Sequence, residues 1–231
     1  MKKKKKIFAL SDLHLDFTKE KDMQVFGEQW LDYENRIFKE WNIISNDDLL
    51  LIAGDISWAM HLEEAKKDLD RIEAMPGTKL MIKGNHDYWW SSINKIRSLD
   101  YKSIHFLQND AIVFSDTRIA GTRGWLSPDD PNFTSADEKV FRRELIRLDL
   151  SLSYKLSKPY NKTIVMFHYP PFNRFGKPNE FEEILLKHEV DLVIYGHVHG
   201  NHYAPEGIFN NIKYVCSSAD KLAFKPIEIE V

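Results

Sequence analysis

The chain has one cysteine, Cys216, among its 231 residues. That excludes an internal disulfide and a thiolate metal cage, so any metal must be held by Asp, Asn and His. Long apolar runs are also missing, and nothing approaches the roughly 20 residues that span a bilayer. Charge of one sign is scarce: the formal net charge is -3 at pH 7, which gives no support to a general nucleic-acid binder. There is no internal repeat, low-complexity linker or break in composition. At 43% hydrophobic and 29% charged residues, the composition is that of an ordinary globular protein with a sizeable core. We read residues 1–231 as one α/β domain. Five lysines follow Met1, but the apolar stretch behind them, Ile7 to Leu10, is too short for a signal peptide. They read as a solvated lead-in to the first strand, and the expectation is a cytoplasmic protein with no membrane partner.

What the chain does have is a series of apolar runs that end in ligating side chains. Residues 6–10 form a strand-like run closed by Ser11-Asp12-Leu13-His14, and continued alternation would put Asp12 and His14 on one side. Taken alone, that Asp-x-His fits a surface loop equally well. Over residues 25–44, Phe26, Trp30, Tyr33, Ile37 and Trp41 recur at helical spacing and predict one amphipathic helix. Residues 49–53 are a continuous apolar run of the parallel-strand type, closed by Gly54-Asp55. Leu62, Ala65, Leu69 and Ile72 mark the next helix, stopped at Pro76-Gly77. Leu80-Met81-Ile82 then ends in Lys83-Gly84-Asn85-His86-Asp87, where Gly84 permits a sharp turn.

A helix is expected over residues 89–99, and short antiparallel strands at 104–107, 111–114 and 117–120. A loop follows at 127–132. Ser135-Ala136-Asp137-Glu138 has the form of a capping box, opening a helix with Val140, Phe141, Leu145, Leu148 and Leu152. The strand 163–167 ends in His168. After a short helix near 179–188, the strand 191–195 ends in Gly196-His197-Val198-His199. Residues 214–216 and 227–231 read as strands closing a second sheet.

Five strand endings thus supply Asp12 with His14, Asp55, Asn85 with His86, His168, and His197 with His199. Side chains at the carboxyl ends of strands in an open α/β sheet face a common crevice. Carboxylate and amide oxygen mixed with imidazole nitrogen fits a hard or borderline divalent cation: manganese or iron first, then zinc, cobalt, nickel or magnesium. Seven ligands exceed the needs of one tetrahedral zinc. They suit two ions sharing a carboxylate, typically about 3.5–4 Å apart in two-metal sites.

In this order, Asp-x-His, Gly-Asp, Gly-Asn-His-Asp, His and Gly-His-x-His, the set resembles the calcineurin-like metallophosphoesterase superfamily, from Asp12 to His199. The resemblance implies a four-layer α/β/β/α sandwich with two mixed β-sheets and a metal-dependent phosphoric ester hydrolase. It implies Asp12, His14 and His199 on one metal, Asn85, His168 and His197 on the other, and Asp55 bridging them. His86 would stand free of metal over the substrate, as general acid and charge stabiliser for attack by a metal-bridging hydroxide. Asp87 is the second candidate catalytic residue, orienting His86, although an adjacent side chain can equally point away.

Two departures bear on substrate. Trp58 stands where the protein-phosphatase branch has an Asp, and Lys83 and Asp87 stand where it has Arg and Glu. This favours phosphate mono- or diesters of small molecules or nucleotides. The alternatives are a nucleotide pyrophosphohydrolase or nuclease on the same scaffold, and a non-catalytic binding protein. The small net charge argues against a long nucleic acid. Trp58, Tyr88, Trp89, Trp90, Trp125 and Phe172 either line the cleft or pack in the core. Arg123 and Arg174 are either phosphate clamps or surface residues. His202 is a candidate pocket residue, whereas His61, His105 and His188 are not expected to take part in the chemistry.

Overall fold

In a computed structural model, which describes residues 5–21 and 23–230, the apolar runs assemble into two sheets. The lysine lead-in at Lys2 to Lys4 lies outside the described residues. The first sheet holds β1 (Ile7–Ala9), β2 (Leu49–Ile52), β3 (Thr78–Met81) and β4 (Ile104–Phe106), all parallel. The second holds β5 (Ile112–Phe114), β6 (Thr117–Thr122), β7 (Lys162–Phe167), β8 (Leu192–Tyr195), β9 (Gly207–Phe209) and β10 (Ile212–Cys216). Its order is β5-β6-β7-β8-β10-β9. The inner four strands are parallel, and β5 and β9 run antiparallel at the edges. A last strand, β11 (Ile227–Glu228), pairs antiparallel with β1 and gives the first sheet the order β11-β1-β2-β3-β4.

The central strands are apolar on both faces because both faces are covered. Ala9, Leu51, Leu80 and Ile82 of the first sheet meet Ile119, Ile164, Met166 and Ile194 of the second in an inner layer. On the outer face of the first sheet, Phe8, Leu50, Ile52 and Met81 share a core with Trp30, Trp41 and helices α1 (Tyr33–Glu40), α2 (Leu62–Glu73) and α3 (Ile93–Arg97). On the outer face of the second, Ala120, Val165, Phe167 and Val193 pack with Phe141 and Leu148 of α4 (Ser135–Leu152) and Phe181 and Leu185 of α5 (Phe181–Lys187). The layers run α/β/β/α with two mixed sheets, as the family resemblance implies. Among the described residues, no helix is long and apolar enough to cross a membrane.

Several local expectations change. The helix expected over 25–44 is reduced to α1 between short 3-10 turns at Met23–Phe26, Glu28–Trp30 and Trp41–Ile43. Gly27 at φ 125 and Asp32 at φ 53 interrupt the run, and Phe26 is exposed while Trp30, Ile37 and Trp41 are buried. The 89–99 helix shortens to α3 because Trp89 and Trp90 bury their rings from irregular backbone. β4 is parallel to β3 rather than antiparallel, and β11 closes the first sheet rather than the second. Helix α4 is capped one residue earlier than expected. Thr134 accepts from the Asp137 amide, and the Asp137 carboxylate accepts from Thr134 N.

Candidate metal centre

The carboxyl ends of both sheets turn sharply. Asp12, His14, Asp55 and His197 all sit at positive φ, between 45° and 70°. The extended backbone expected through Asp12 and His14 is therefore not what brings them together. A non-glycine residue pays about 1–2 kcal/mol for this conformation, and such strain gathers at functional sites. Hydrogen bonds between loops hold it: Asp12 N donates to Gly54 O at 3.0 Å, His14 N to Asp55 O at 3.0 Å, and His197 N to Asp12 Oδ1 at 2.9 Å. The loops also touch through glycines. A Cβ on Gly54 would lie 2.6 Å from Gly84 Cα, and one on Gly84 would overlap Asp55 Oδ1.

These turns bring the seven expected ligands into one cluster. Asp12, His14 and His199 each offer an atom within 4.8 Å of the other two, and Asp12, Asp55 and His168 do the same. His14 Nε2 and His199 Nε2 are 3.4 Å apart. Asn85 Oδ1 lies 2.6 Å from His168 Nε2 and 3.0 Å from His197 Nδ1. Asp55 stands between the two groups, with one oxygen 3.7 Å from His14 Nε2 and the other 3.6 Å from His168 Nε2. The first sheet carries Asp12, His14, Asp55 and Asn85; the second carries His168, His197 and His199.

The donor set fits divalent cations on its own geometry. His168 Nδ1 is 2.9 Å from the carbonyl oxygen of Ala53, so that nitrogen carries the proton and Nε2 turns a lone pair toward Asn85 Oδ1. His199 Nδ1 donates to Asp220 at 2.8 Å, which leaves its Nε2 lone pair facing His14 and, at 3.8 Å, Asp12. Lone pairs directed at lone pairs repel unless a metal ion or an added proton lies among them. Burial pushes the Asp12 carboxyl up to about 7 and raises Asp55 too. Burial also holds His14 and His197 well below the usual imidazole range and His168 down at about 3. Burial would lower His199 as well, but Asp220 and Asp12 outweigh it and raise that imidazole. His14, His168 and His197 are held unprotonated as a divalent ion requires, while the raised carboxyls and His199 release protons as it binds.

His86 borders this cluster. Its ring centroid is 5.8 Å from that of His14 and 4.6 Å from that of Trp58, and its Nδ1 is 3.5 Å from the Tyr88 hydroxyl. Asp87 points away from it. One Asp87 oxygen accepts from Gly84 N at 2.7 Å and Asp55 N at 3.0 Å. The other accepts from Ile56 N, Ser57 N and the Trp89 indole at 2.8, 3.3 and 3.1 Å. Asp87 therefore ties the Asn85-His86 turn to the Asp55 loop.

The sequence reading missed Asp220, which accepts from both His199 Nδ1 and Gly200 N. Burial pushes its carboxyl up, but the His199 and Gly200 N–H groups outweigh that and hold it below the usual range. Its one signal was that β10, like the strands that end in the candidate ligands, closes in small and polar residues, Ser217-Ser218-Ala219-Asp220.

The aromatics divide. Trp58 stacks on His14 at 4.8 Å, and Tyr88 is exposed beside His86. Trp89, Trp90 and Phe172 are core residues. Trp125 lies under the Arg123 guanidinium at 4.2 Å. Arg174 and His202 are exposed, and His188 bonds Asp149 at 3.0 Å.

Fold and donors together define a class: an α/β/β/α sandwich with side chains able to ligate metal gathered at the carboxyl edges of both sheets. The family model for calcineurin-like phosphoesterases matches residues 5–201, and the chain belongs to that family of phosphoester hydrolases, which use divalent metals. Two solved structures share the fold. A protein of unknown function from Aquifex aeolicus is 20% identical, with 97% of this chain and 96% of that chain covered and a TM-score of 0.56. A protein from Thermus thermophilus is 12% identical, with 98% of each chain covered and a TM-score of 0.55. No curated protein sequence matches the chain.

Proposed function

We propose that the chain is a dinuclear metal-dependent phosphoesterase acting on small phosphate mono- or diesters. The observation that supports it most is the position of Asp55, within 3.7 Å of His14 on one side and 3.6 Å of His168 on the other. In this reading Asp12, His14 and His199 hold one divalent cation, Asn85, His168 and His197 hold the second, and Asp55 serves both. When bound, the pair supplies Lewis acidity toward phosphoryl oxygens and makes water acidic enough to act as nucleophile near neutral pH.

The chain's own groups do the rest. The Ala53 carbonyl and Asp220 fix the tautomers of His168 and His199, so each presents Nε2. His86 is not among the ligands; with Nδ1 toward Tyr88, its Nε2 is the atom that donates a proton to the leaving oxygen. Its charged form also offsets negative charge growing on the phosphoryl group. Trp58 packs on both His14 and His86, which limits the positions the two rings can take. Asp87 acts as a positioning residue through the backbone it binds.

The test is hydrolysis of p-nitrophenyl phosphate and bis-p-nitrophenyl phosphate with Mn²⁺, then with chelator. Turnover of either that chelator abolishes is expected, and the preferred ester sets the substrate class. Failure to cleave both esters and a pyrophosphate bond with every divalent metal tried would remove the catalytic reading.

A further inference from the structure

Beside the cluster lies a recess that the proposed metal chemistry does not use. Its enclosed space is small, about 30 Å³, and opens to solvent, and its polar lining includes Lys83, Gln108, Asn109, Arg123, Glu144 and Arg147. The recess adjoins the ligands on both sides. Lys83 directly precedes the Gly84-Asn85-His86 turn, and Arg123 O accepts the amides of His168 at 3.1 Å and Tyr169 at 2.9 Å. The Tyr169 ring in turn lies 4.1 Å from that of His197.

The charges in the recess do not balance. Three cations, Lys83, Arg123 and Arg147, meet one carboxylate, the fully buried Glu144. Its Oε1 is 2.8 Å from Arg147 and 3.8 Å from Arg123, while Oε2 already accepts from the Thr122 hydroxyl at 2.7 Å. Arg143 reaches the same Oε1 from outside at 3.5 Å. Arg123 Nε is buried with no hydrogen-bond partner, although its side chain is only 14% exposed. Guanidinium donors held without enough acceptors match a planar, multidentate oxyanion.

We propose that this recess binds a second anionic group of the substrate, a phosphate or carboxylate carried on the leaving group, while the scissile phosphoryl group lies at the metal ligands. The proposal rests on the phosphoesterase reading and narrows it to doubly anionic esters. Arg123 and Arg147 are then the specificity-determining residues, with Glu144 Oε1 orienting both guanidinium groups from one side.

The test compares propane-1,3-diyl bisphosphate with propyl phosphate as substrates in the presence of Mn²⁺. For the wild-type chain the expected kcat/KM ratio favours the bisphosphate by about tenfold or more. In Arg123→Gln and Arg147→Gln that ratio falls toward one, mainly through the KM of the bisphosphate. Arg147 is 32% exposed on α4, so its variant carries the test if Arg123→Gln does not fold. A wild-type ratio near one, or a ratio unchanged in both variants, overturns the proposal. If neither ester is cleaved, the phosphoesterase reading fails separately. Calorimetric titration of chelator-treated protein with inorganic phosphate then decides the recess. Affinity about tenfold weaker in Arg147→Gln supports it, and equal affinity overturns it.

Discussion

Replacing Asp87 with Asn keeps the side-chain shape and exchanges one acceptor oxygen for a donor. The carboxylate serves five N–H groups, two at one oxygen and three at the other. An amide accepts at one end only. If its oxygen keeps Ile56, Ser57 and Trp89, the NH₂ faces the buried amides of Gly84 and Asp55. Each buried N–H left unpaired costs about 1–3 kcal/mol, so the two together cost roughly 4 kcal/mol. For a chain of this size 1 kcal/mol moves the melting temperature by about 2–4 °C, which gives a fall of roughly 8–16 °C. The assay is thermal melting in chelator, so that metal binding does not mask the loss. A different result would refute this reasoning: kcat depressed and the melting temperature within about 2 °C of wild type. That pattern belongs to a carboxylate that orients His86.

His86→Ala should lower kcat by about 10²–10⁴ while metal content stays unchanged; undiminished turnover would remove His86 from the mechanism. Asp220→Ala frees the His199 ring, and divalent metal should bind about 10–100-fold more weakly, measured by competition with a chelating dye. The pH response of the chelated protein combines two signs. Asp12, raised to about 7 by burial, contributes stability that is present below the ordinary carboxylate range and lost as pH rises through about 7. His168, lowered to about 3 by burial, contributes stability that is present above the ordinary imidazole range and lost as pH falls toward about 3. The two oppose each other up to about pH 6.5, and the Asp12 loss is nearly complete just above about pH 7, so the melting temperature without metal should fall between about pH 6.5 and pH 7 and level off above that. Mn²⁺ should raise it more at about pH 8 than at about pH 6, because the ligands bind deprotonated. Equal metal shifts at both pH values would count against this ligand set.

The strands that carry the site were legible because each is covered on both faces and so reads as an unbroken apolar run. The first charged residue beyond such a run stands out, as Asp55 does after Leu49 to Ala53. Partner choice was not legible. β4 joins β3 in parallel register and β11 crosses back to β1, and neither pairing leaves a trace in its own few residues. Periodicity over residues 25–44 foresaw the buried faces of Trp30, Ile37 and Trp41, but not the left-handed turn at Asp32 that breaks the helix. Asp87 was visible as a candidate, yet its direction depends on amides some thirty residues earlier in the chain. Asp220 escaped because it meets His199 only after β9 and β10 have been laid down between them.

The split of the ligands between the two sheets also has a mechanical side. At their carboxyl edges the layers meet as a row of carboxyl, amide and imidazole groups rather than as interlocked methyl groups. Cations bound there would act as rivets across the seam between the halves. At a free metal concentration of 100 times Kd, such linkage adds about 2.7 kcal/mol per site. Its effect would be local, slowing amide exchange at the Asp12, His14 and His197 turns far more than at the opposite edge, where β11 ends. Metal supply would then govern how tightly this end of the sandwich stays shut, in addition to whether it turns over substrate.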